Sequence, residues 1–338
     1  MTVLDKHLGE DRLRLVDIGA RGGVASRWDR FASVLDVTAF EPDPAECERL
    51  NREAACLPYP AHFLPYAIGR QSGDNVPFHV ANWPVASSLY RPNAEFLRSF
   101  PQAARLLEVG AVQSISVSSL DDVARRENLP IDCLKVDVEG AALDVLVGGE
   151  TALDGSLALE VEAEMNPLFE GEALFADVDA HLRNRGWALQ GLRRTSWRRG
   201  APFEPSASGL GGQIISVDAL YCNGGFTGQL PLARELKLLV ILSAYLQADA
   251  VLARLRSSEP IAAGLNTNEL DELVRLLVPR PGPIRRFARR VSAGRARPAG
   301  ARSPIVSSGA TRPSGRIRTS SDIAHRGHLR ASVDSRVE

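Results

Sequence analysis

Short apolar runs rich in β-branched residues alternate along the chain with segments whose apolar positions recur at helical spacing. The runs cover residues 13–18, 37–40, 63–68, 133–138, 157–161, 187–192 and 214–221. Alternation of this kind predicts a mostly parallel β-sheet with helices on both faces. We therefore expect an α/β protein with a Rossmann-like, doubly wound sheet.

An insertion separates the third and fourth runs. Two further strands are predicted at residues 75–81 and 114–118, and they bracket a loop-rich segment that contains Trp83, Tyr90 and Phe96. We expect this insertion to lie over the edge of the sheet that carries the active site. Its aromatic side chains either form an apolar or sugar-stacking wall or pack as the insertion's own small core.

The pattern changes after Pro231, where apolar residues recur at helical spacing over residues 236–256 and 268–278. These segments predict a small appendage of two amphipathic helices. After Pro279 the sequence is rich in Arg, Ser, Gly and Pro without sustained periodicity, and such a segment cannot bury enough apolar surface to offset chain entropy. We expect an enzyme domain at residues 1–225, a helical appendage at 226–279 and a disordered basic tail at 280–338.

The net charge of -1 conceals an asymmetry, because residues 280–338 carry 14 arginines against three acidic residues. The rest of the chain is therefore acidic, which argues against nucleic acid as the main substrate. The four cysteines show no CxxC spacing, so the sequence predicts neither a zinc site nor disulfides and fits a reducing cytoplasm. Neither a secretory leader nor a transmembrane segment is expected, and we predict a soluble cytoplasmic protein.

A glycine-rich turn follows the first predicted strand. Such a turn between a strand and a helix lets backbone amides approach a cofactor closely. Its spacing is GxxGG rather than the GxGxxG of dinucleotide-binding enzymes. The alternative is a structural turn without a ligand. The residues of the turn expected to contact a cofactor are Asp17, Gly19, Ala20 and Gly23.

Carboxylates follow two other predicted strands. Glu41 ends the second strand about twenty residues after the turn, where such acids hydrogen-bond ribose hydroxyls. Asp137 lies in the last residues of the fourth predicted strand and Glu139 directly follows it, and one of the two could act as a general base or help to hold a cation. Alternatively, Lys135 pairs with one of these two and the other caps the next helix. We predict no resident metal ion.

Three more acids and a histidine are weaker candidates. Glu160, Glu162 and Glu164 alternate along the next strand and therefore share one face of it. They either enter a substrate cleft or end in solvent. His79, beside the insertion, is a minor catalytic candidate, since most isolated histidines are structural or exposed.

Taken together, these motifs resemble the FkbM family of methyltransferases over roughly residues 13–222. The segments that carry the resemblance are, in order, residues 16–20 with Gly23, 40–44, 87–90 with Pro92, 119–122, 134–140 and 218–221. The family commonly has Asn at the position of Arg21, so cofactor contacts there are expected to differ.

The resemblance implies a class I methyltransferase fold and transfer of a methyl group from S-adenosylmethionine to an oxygen, often a hydroxyl of a sugar or a secondary metabolite. It also implies that Asp17, Gly19 and Gly23 line the methionine side of the cofactor and that Glu41 meets the ribose. Asp137 and Glu139 would then lie near the transferring methyl group, and they are the expected catalytic residues. The acceptor is expected to be a small molecule or a glycan.

The sequence leaves two other functions open. An acid after the second strand also binds ribose in nicotinamide-dependent oxidoreductases, although those enzymes carry the GxGxxG turn that this chain lacks. A non-enzymatic binding module would instead use the C-terminal helices for assembly and the basic tail for an anionic partner.

Overall fold

The computed structural model describes residues 1–199, 211–224 and 230–278. Within them, α/β secondary structure follows the predicted alternation. The strands, in chain order, are β1 (Leu13–Ile18), β2 (Leu35–Phe40), β3 (Ala61–Leu64), β4 (Ala67–Gly69), β5 (Gly73–Ala81), β6 (Val109–Ser119), β7 (Cys133–Val136), β8 (Ala158–Glu164), β9 (Trp187–Trp197) and β10 (Gln213–Asn223).

Seven of these strands form the main sheet, in the order β3-β2-β1-β7-β8-β10-β9. The first five are mutually parallel, whereas β10 runs antiparallel to β8 and to β9. The order reverses between β1 and β7, so the carboxyl ends of these two strands open a crevice at the switch point. The predicted Rossmann-like, doubly wound sheet is confirmed.

The predicted strand at residues 63–68 is wrong in one respect, because it is two strands in different sheets. Pro65 separates β3 from β4, and proline cannot donate to a ladder of backbone hydrogen bonds. The strand β4 pairs with β6, which also pairs with β5, to form a separate three-stranded sheet. The predicted end of the fourth core strand is also wrong, since β7 stops at Val136 and leaves Asp137 in the following loop.

Helices cover both faces of the main sheet. One face packs against α1 (Val3–Leu8), the 3-10 segment η1 (Ser26–Val34) and α2 (Pro44–Ala54), in a core that includes Trp28 and Leu35. The other face packs against α5 (Leu120–Glu127), α6 (Ala142–Val147) and α7 (Phe175–Asn184), in a core that includes Phe40 and Tyr221. This two-sided burial explains why β1 and β7 are largely apolar, whereas β8 alternates apolar residues with three glutamates.

The insertion is more regular than its sequence predicts. Between β5 and β6 it forms η2 (Pro84–Ala86), α3 (Ala94–Leu97) and α4 (Pro101–Leu107). Phe96 packs beside Phe100, whose ring meets the edge of Trp197, in a third apolar cluster. Trp83 is 40% exposed, so of the insertion's aromatic residues it is the one that remains open for stacking.

Four C-terminal helices add to the core that includes Trp28 and Leu35. They are α8 (Leu232–Ala244), α9 (Ala248–Ser257), α10 (Glu259–Gly264) and α11 (Thr267–Leu277). A single helix over residues 236–256 is therefore wrong: the chain turns at Leu246, which has φ +59°. Because α8 is buried along most of its length, these helices fall in the same compact unit as the sheet.

The domain boundaries at 225 and 279 remain predictions, and the predicted disorder of residues 280–338 lies outside the described residues. No helix among the residues that the structure describes is long and apolar enough to cross a membrane.

We expect Arg254→Met to lower the free energy of unfolding by about 3–5 kcal/mol, because it leaves a buried carboxylate without its partner. Arg254 Nη2 lies 2.6 Å from Glu235 Oε1, and the two side chains are 9% and 1% exposed. The matched control is Arg52→Met, whose partner Glu48 is 76% exposed, and we expect it to change stability by less than about 1 kcal/mol. Urea unfolding of both variants tests this, and equal losses would contradict it.

Candidate functional site

The glycine turn lies against the end of β7. The Gly19 and Ala20 amides donate to the Phe40 carbonyl at 3.2 and 3.0 Å, which ties the turn to the end of β2. Gly19 has φ +84°, and a Cβ atom there would lie 1.7 Å from the carbonyl oxygen of Asp137. Only glycine fits this position, because a side chain would strike the backbone and occupy a disfavoured conformation.

Glu41 sits at the end of β2 and is 3% exposed. Its Oε1 accepts from the backbone amide of Asp43 at 2.9 Å and from Arg21 Nη1 at 3.4 Å. Burial raises the pKa of Glu41, and the Asp43 amide and the Arg21 guanidinium oppose this rise. Arg21 also reaches Asp43 at 3.3 Å, so the residue that departs from the family pattern holds both acids at the mouth of this site.

A buried ammonium connects β1 and β7. Lys135 Nζ donates to Asp17 Oδ1 at 3.1 Å and to Asp137 Oδ2 at 3.2 Å, with 17% of its side chain exposed. Burial lowers the pKa of Lys135, but the two carboxylates outweigh burial and raise it. Burial alone would raise the pKa of Asp137, but the charge of Lys135 and hydrogen bonds to the carboxylate together outweigh burial, so the pKa is lowered. Lys135 therefore pairs with Asp137, as the alternative interpretation of the sequence predicts. The second part of that interpretation is wrong, because Glu139 does not cap α6.

Three carboxylates converge beside this ammonium. Single carboxylate oxygens of Asp137, Glu139 and Glu162 lie within 4.8 Å of one another, and Ser216 Oγ donates to Glu162 Oε1 at 2.9 Å. Burial, together with Asp137 and Glu172, raises the pKa of Glu139 to about 8. Among the described residues this is the one group of acids close enough to share a cation. The prediction of no resident metal stays a prediction.

Glu139 adopts an uncommon backbone conformation. Its φ is +51° and that of Gly140 is +86°, and a non-glycine residue with positive φ is rare outside turns and functional sites. Ser88, from the insertion, donates its hydroxyl proton to the Glu139 carbonyl. The insertion thus holds the loop that aims this carboxylate.

The other two acids of β8 have separate partners. Glu160 accepts from Arg27 at 3.0 Å and from the Tyr245 hydroxyl at 2.8 Å, which joins β8 to η1 and to the end of α8. Glu164 is 3% exposed, and burial together with Glu172 raises its pKa. Glu162 is therefore the acid of β8 that reaches the group around Asp137. Nothing in the spacing of the sequence indicates Glu172, which lies in an irregular loop.

A crevice of about 850 Å³, counted to its open mouth, connects these groups. Its lining includes Arg21, Lys135 and five of the predicted site residues, whose roles stay predictions: Gly19, Gly23, Glu41, Asp137 and Glu139. The other two predicted contacts, Asp17 and Ala20, are each 2% exposed and lie beneath its wall. Other lining residues are apolar or carry a hydroxyl group, and of their segments only residues 87–90 belong to a sequence motif. They are Tyr66, Ile68, Phe78, Val85, Ser87 and Leu89.

His79 does not line this crevice. Its neighbour Phe78 does, and adjacent strand residues point to opposite faces. His79 lines a separate groove on the far side of β5. It is therefore not among the groups that meet at the end of β7.

A reversed strand order, an antiparallel final pair, a glycine turn after β1 and an acid after β2 together define the class I methyltransferase fold. The model of the methyltransferase FkbM domain matches residues 17–187, which is just over half of the chain. The chain belongs to the FkbM methyltransferase family, as the motifs of the sequence predict.

One relative and two solved structures show how far similarity extends. The 2-O-methyltransferase NoeI of Sinorhizobium fredii is 26% identical over 167 residues, which are 47% of this chain and 66%, just under two thirds, of that protein. A precorrin-6Y C5,15-methyltransferase of Geobacter metallireducens has 11% identity and a TM-score of 0.32, over 65% of this chain and 85% of its own. TrmK of M. capricolum, in complex with S-adenosylhomocysteine, has 6% identity and a TM-score of 0.33, and the match covers 81% of this chain and 97% of TrmK. Scores of this size carry no conclusion about substrate.

We expect Gly19→Ala to lower the free energy of unfolding by at least about 2 kcal/mol, because the new methyl group would overlap the Asp137 carbonyl. At Gly155 the φ is ordinary and an added Cβ atom would have no neighbouring atom within 4 Å, so Gly155→Ala is the matched control. It should stay within about 0.5 kcal/mol of the native chain. Thermal and urea unfolding measure both, and a Gly19→Ala variant as stable as the control would overturn this close packing.

The raised pKa of Glu139 predicts a pH dependence of stability. Between its ordinary value of 4.5 and about 8, the folded chain keeps a proton that the unfolded chain releases. The free energy of unfolding should therefore fall as pH rises through this window. Glu139→Gln cannot titrate, so its curve should be flatter, with a residual slope of the same sign from Glu162 and Glu172, whose pKa values are also raised.

Urea unfolding at several pH values tests this expectation. Glu95→Gln is the control, because the Glu95 side chain is 86% exposed, and it should keep the native slope. Identical slopes for the native chain and Glu139→Gln would contradict the assignment.

Proposed function

We propose that this methyltransferase uses S-adenosylmethionine to methylate a hydroxyl oxygen of a small-molecule or glycan acceptor. The observation that carries the proposal is the arrangement of the crevice. Gly19 and Asp137 meet at the switch point of the sheet, between the ends of β1 and β7, and Glu41 and Glu139 line the same crevice. The family supports methyl transfer, whereas the cofactor, the oxygen acceptor and the residue roles are the proposed part.

The residues present fit S-adenosylmethionine. The approach of Gly19 to Asp137 leaves the turn without a side chain that would block an adenosine or methionine moiety. Glu41 offers a buried carboxylate whose Oε2 accepts no hydrogen bond from the described residues, and two ribose hydroxyls are suitable donors. When bound, S-adenosylmethionine supplies an electrophilic methyl group on a positively charged sulfur. The carboxylates that line the crevice complement that charge.

The chain's own groups then have separable roles. Lys135 lowers the pKa of Asp137, opposes the rise that burial causes in the pKa of Asp17, and joins the end of β7 to the end of β1. Asp137, which is ionised, is placed to accept the proton of the acceptor hydroxyl while the oxygen attacks the methyl carbon, and Glu139, which keeps its own proton below about pH 8, is placed to orient that hydroxyl. Ser88 and Gly140 keep the Glu139 loop in the conformation that this requires.

Oxygen is favoured as the acceptor atom for two reasons. Carboxylates are suitable partners for a hydroxyl that must lose a proton during transfer. The relative NoeI is named a 2-O-methyltransferase, and we extend the class of reaction, not its substrate, to this chain. The cations of the crevice, Arg21 and Lys135, already pair with carboxylates and leave little to hold a phosphate backbone beside the reacting atoms, so nucleic acid is not the proposed main substrate. A cytoplasmic location remains the prediction from sequence.

Calorimetric titration with S-adenosylmethionine, S-adenosylhomocysteine and NADH tests the cofactor. We expect the first two to bind and NADH not to bind, and we expect Glu41→Ala to weaken binding by about tenfold or more, because it removes hydrogen bonds to a charged acceptor. Glu48→Ala, at a carboxylate that is 76% exposed, is the control and should bind as the native chain does. Binding of NADH alone would replace the proposal with an oxidoreductase, and Glu41→Ala binding unchanged would refute the assigned ribose contact.

A further inference from the structure

A second cavity lies on the other side of the insertion from the cofactor crevice. We call it the arginine groove. It is bounded by β5 and β6, by α3 and α4 and by the segment before α3, and it encloses about 1310 Å³ counted to its open mouth. Its polar lining is mainly basic: Arg91, Arg98, Arg105 and His79, with Glu108 as the acid.

The arginines of this groove are not neutralised by neighbouring acids. Within the part of the chain that the structure describes, neither Arg91 nor Arg105 forms an ion pair, and Arg98 has only Glu95 at 3.4 Å, with both side chains at least 75% exposed. An exposed pair of this kind contributes little. The acid of the groove, Glu108, already accepts from the Asn82 amide at 3.2 Å.

The charge of the surrounding chain makes this concentration of arginine informative. Residues 1–279 contain 26 basic and 38 acidic residues, a formal charge of -12. A basic groove is therefore not a consequence of a basic surface. Three guanidinium groups around one cavity match a tetrahedral oxyanion, because arginine donates paired hydrogen bonds to such groups. In addition, His79 Nδ1 is buried without a hydrogen-bond partner among the described residues of this wall.

A short segment joins the groove to the proposed active site. Within residues 87–92, Ser88 donates to the Glu139 carbonyl, Leu89 lines the cofactor crevice and Arg91 lines the arginine groove. The two cavities therefore share a wall of a few residues. A molecule that spans this wall would place one part beside Glu139 and another beside Arg91.

We propose that the arginine groove binds a phosphate or sulfate group carried by the methyl acceptor. The link to the acceptor rests on the proposed function, whereas oxyanion binding itself does not. The groove would hold the charged part of the acceptor and leave the hydroxyl to be methylated on the crevice side of residues 87–92. The two cations of the crevice, Arg21 and Lys135, already pair with carboxylates and offer little to that charged part, so the two cavities together orient the acceptor.

Calorimetric titration at low salt tests the groove without turnover. The probes are inorganic pyrophosphate and a sulfated disaccharide, with the unsulfated disaccharide as the neutral control, and they separate a phosphate from a sulfate source. We expect at least one charged probe to bind the native chain. The double variant Arg91→Gln/Arg105→Gln should weaken the binding of that probe by about tenfold or more. Arg256→Gln/Arg275→Gln removes two exposed arginines elsewhere and is the matched control, which should bind as the native chain does.

Each other outcome overturns the inference. Failure of both charged probes to bind, equal binding by the groove variant and the native chain, or equal losses in both double variants would each do so. Tighter binding of a short RNA than of either probe, lost in the groove variant, would assign the groove to nucleic acid instead. Titration of the same variants with S-adenosylhomocysteine separates the two proposals. If that ligand fails to bind while a charged probe binds, the proposed function is wrong and the oxyanion site stands.

Discussion

The contact on which the candidate site depends is the ammonium of Lys135 between Asp17 and Asp137. The carboxylates of Asp17 and Asp137 lie at the ends of adjacent strands and would repel each other. Asp17 is buried, and keeping it ionised away from water without a partner would cost roughly several kcal/mol. A single cation between them opposes both effects and joins the end of β1 to the end of β7. Gly19 can then approach the Asp137 carbonyl, and the crevice has its floor.

The sequence predicts this region well because its signals are local. A glycine turn after β1, an acid after β2 and an acid pair after β7 each follow from a few adjacent residues, and the rule for open α/β sheets brings them to one edge. The register of β1 with β7 places Asp17 beside Lys135, whereas the spacing of the sequence indicates a partner for Lys135 only among the acids that follow it.

What the sequence does not predict depends on contacts between distant segments. Pro65 splits one apolar run between two sheets, and Leu246 ends α8 in a left-handed turn although the helical spacing continues. Glu172 joins the acids around Glu139 from a loop with no periodicity. The wall formed by Phe78, Val85 and Leu89 follows from how the insertion packs, which is set by its third apolar cluster rather than by a motif.

The insertion therefore does more than cover the sheet edge. Its apolar cluster fixes α3 and α4, these helices form one side of the arginine groove, and the segment before them holds the Glu139 loop through Ser88. The same few residues thus separate a crevice whose cations are paired with carboxylates from a groove in which Arg91 and Arg105 form no ion pair with any described residue. Because of this difference, an acceptor that bears both a hydroxyl and an oxyanion has one favourable orientation across this wall. Under the proposed function, specificity for the acceptor would then come from the insertion, while the sheet supplies the proposed cofactor site.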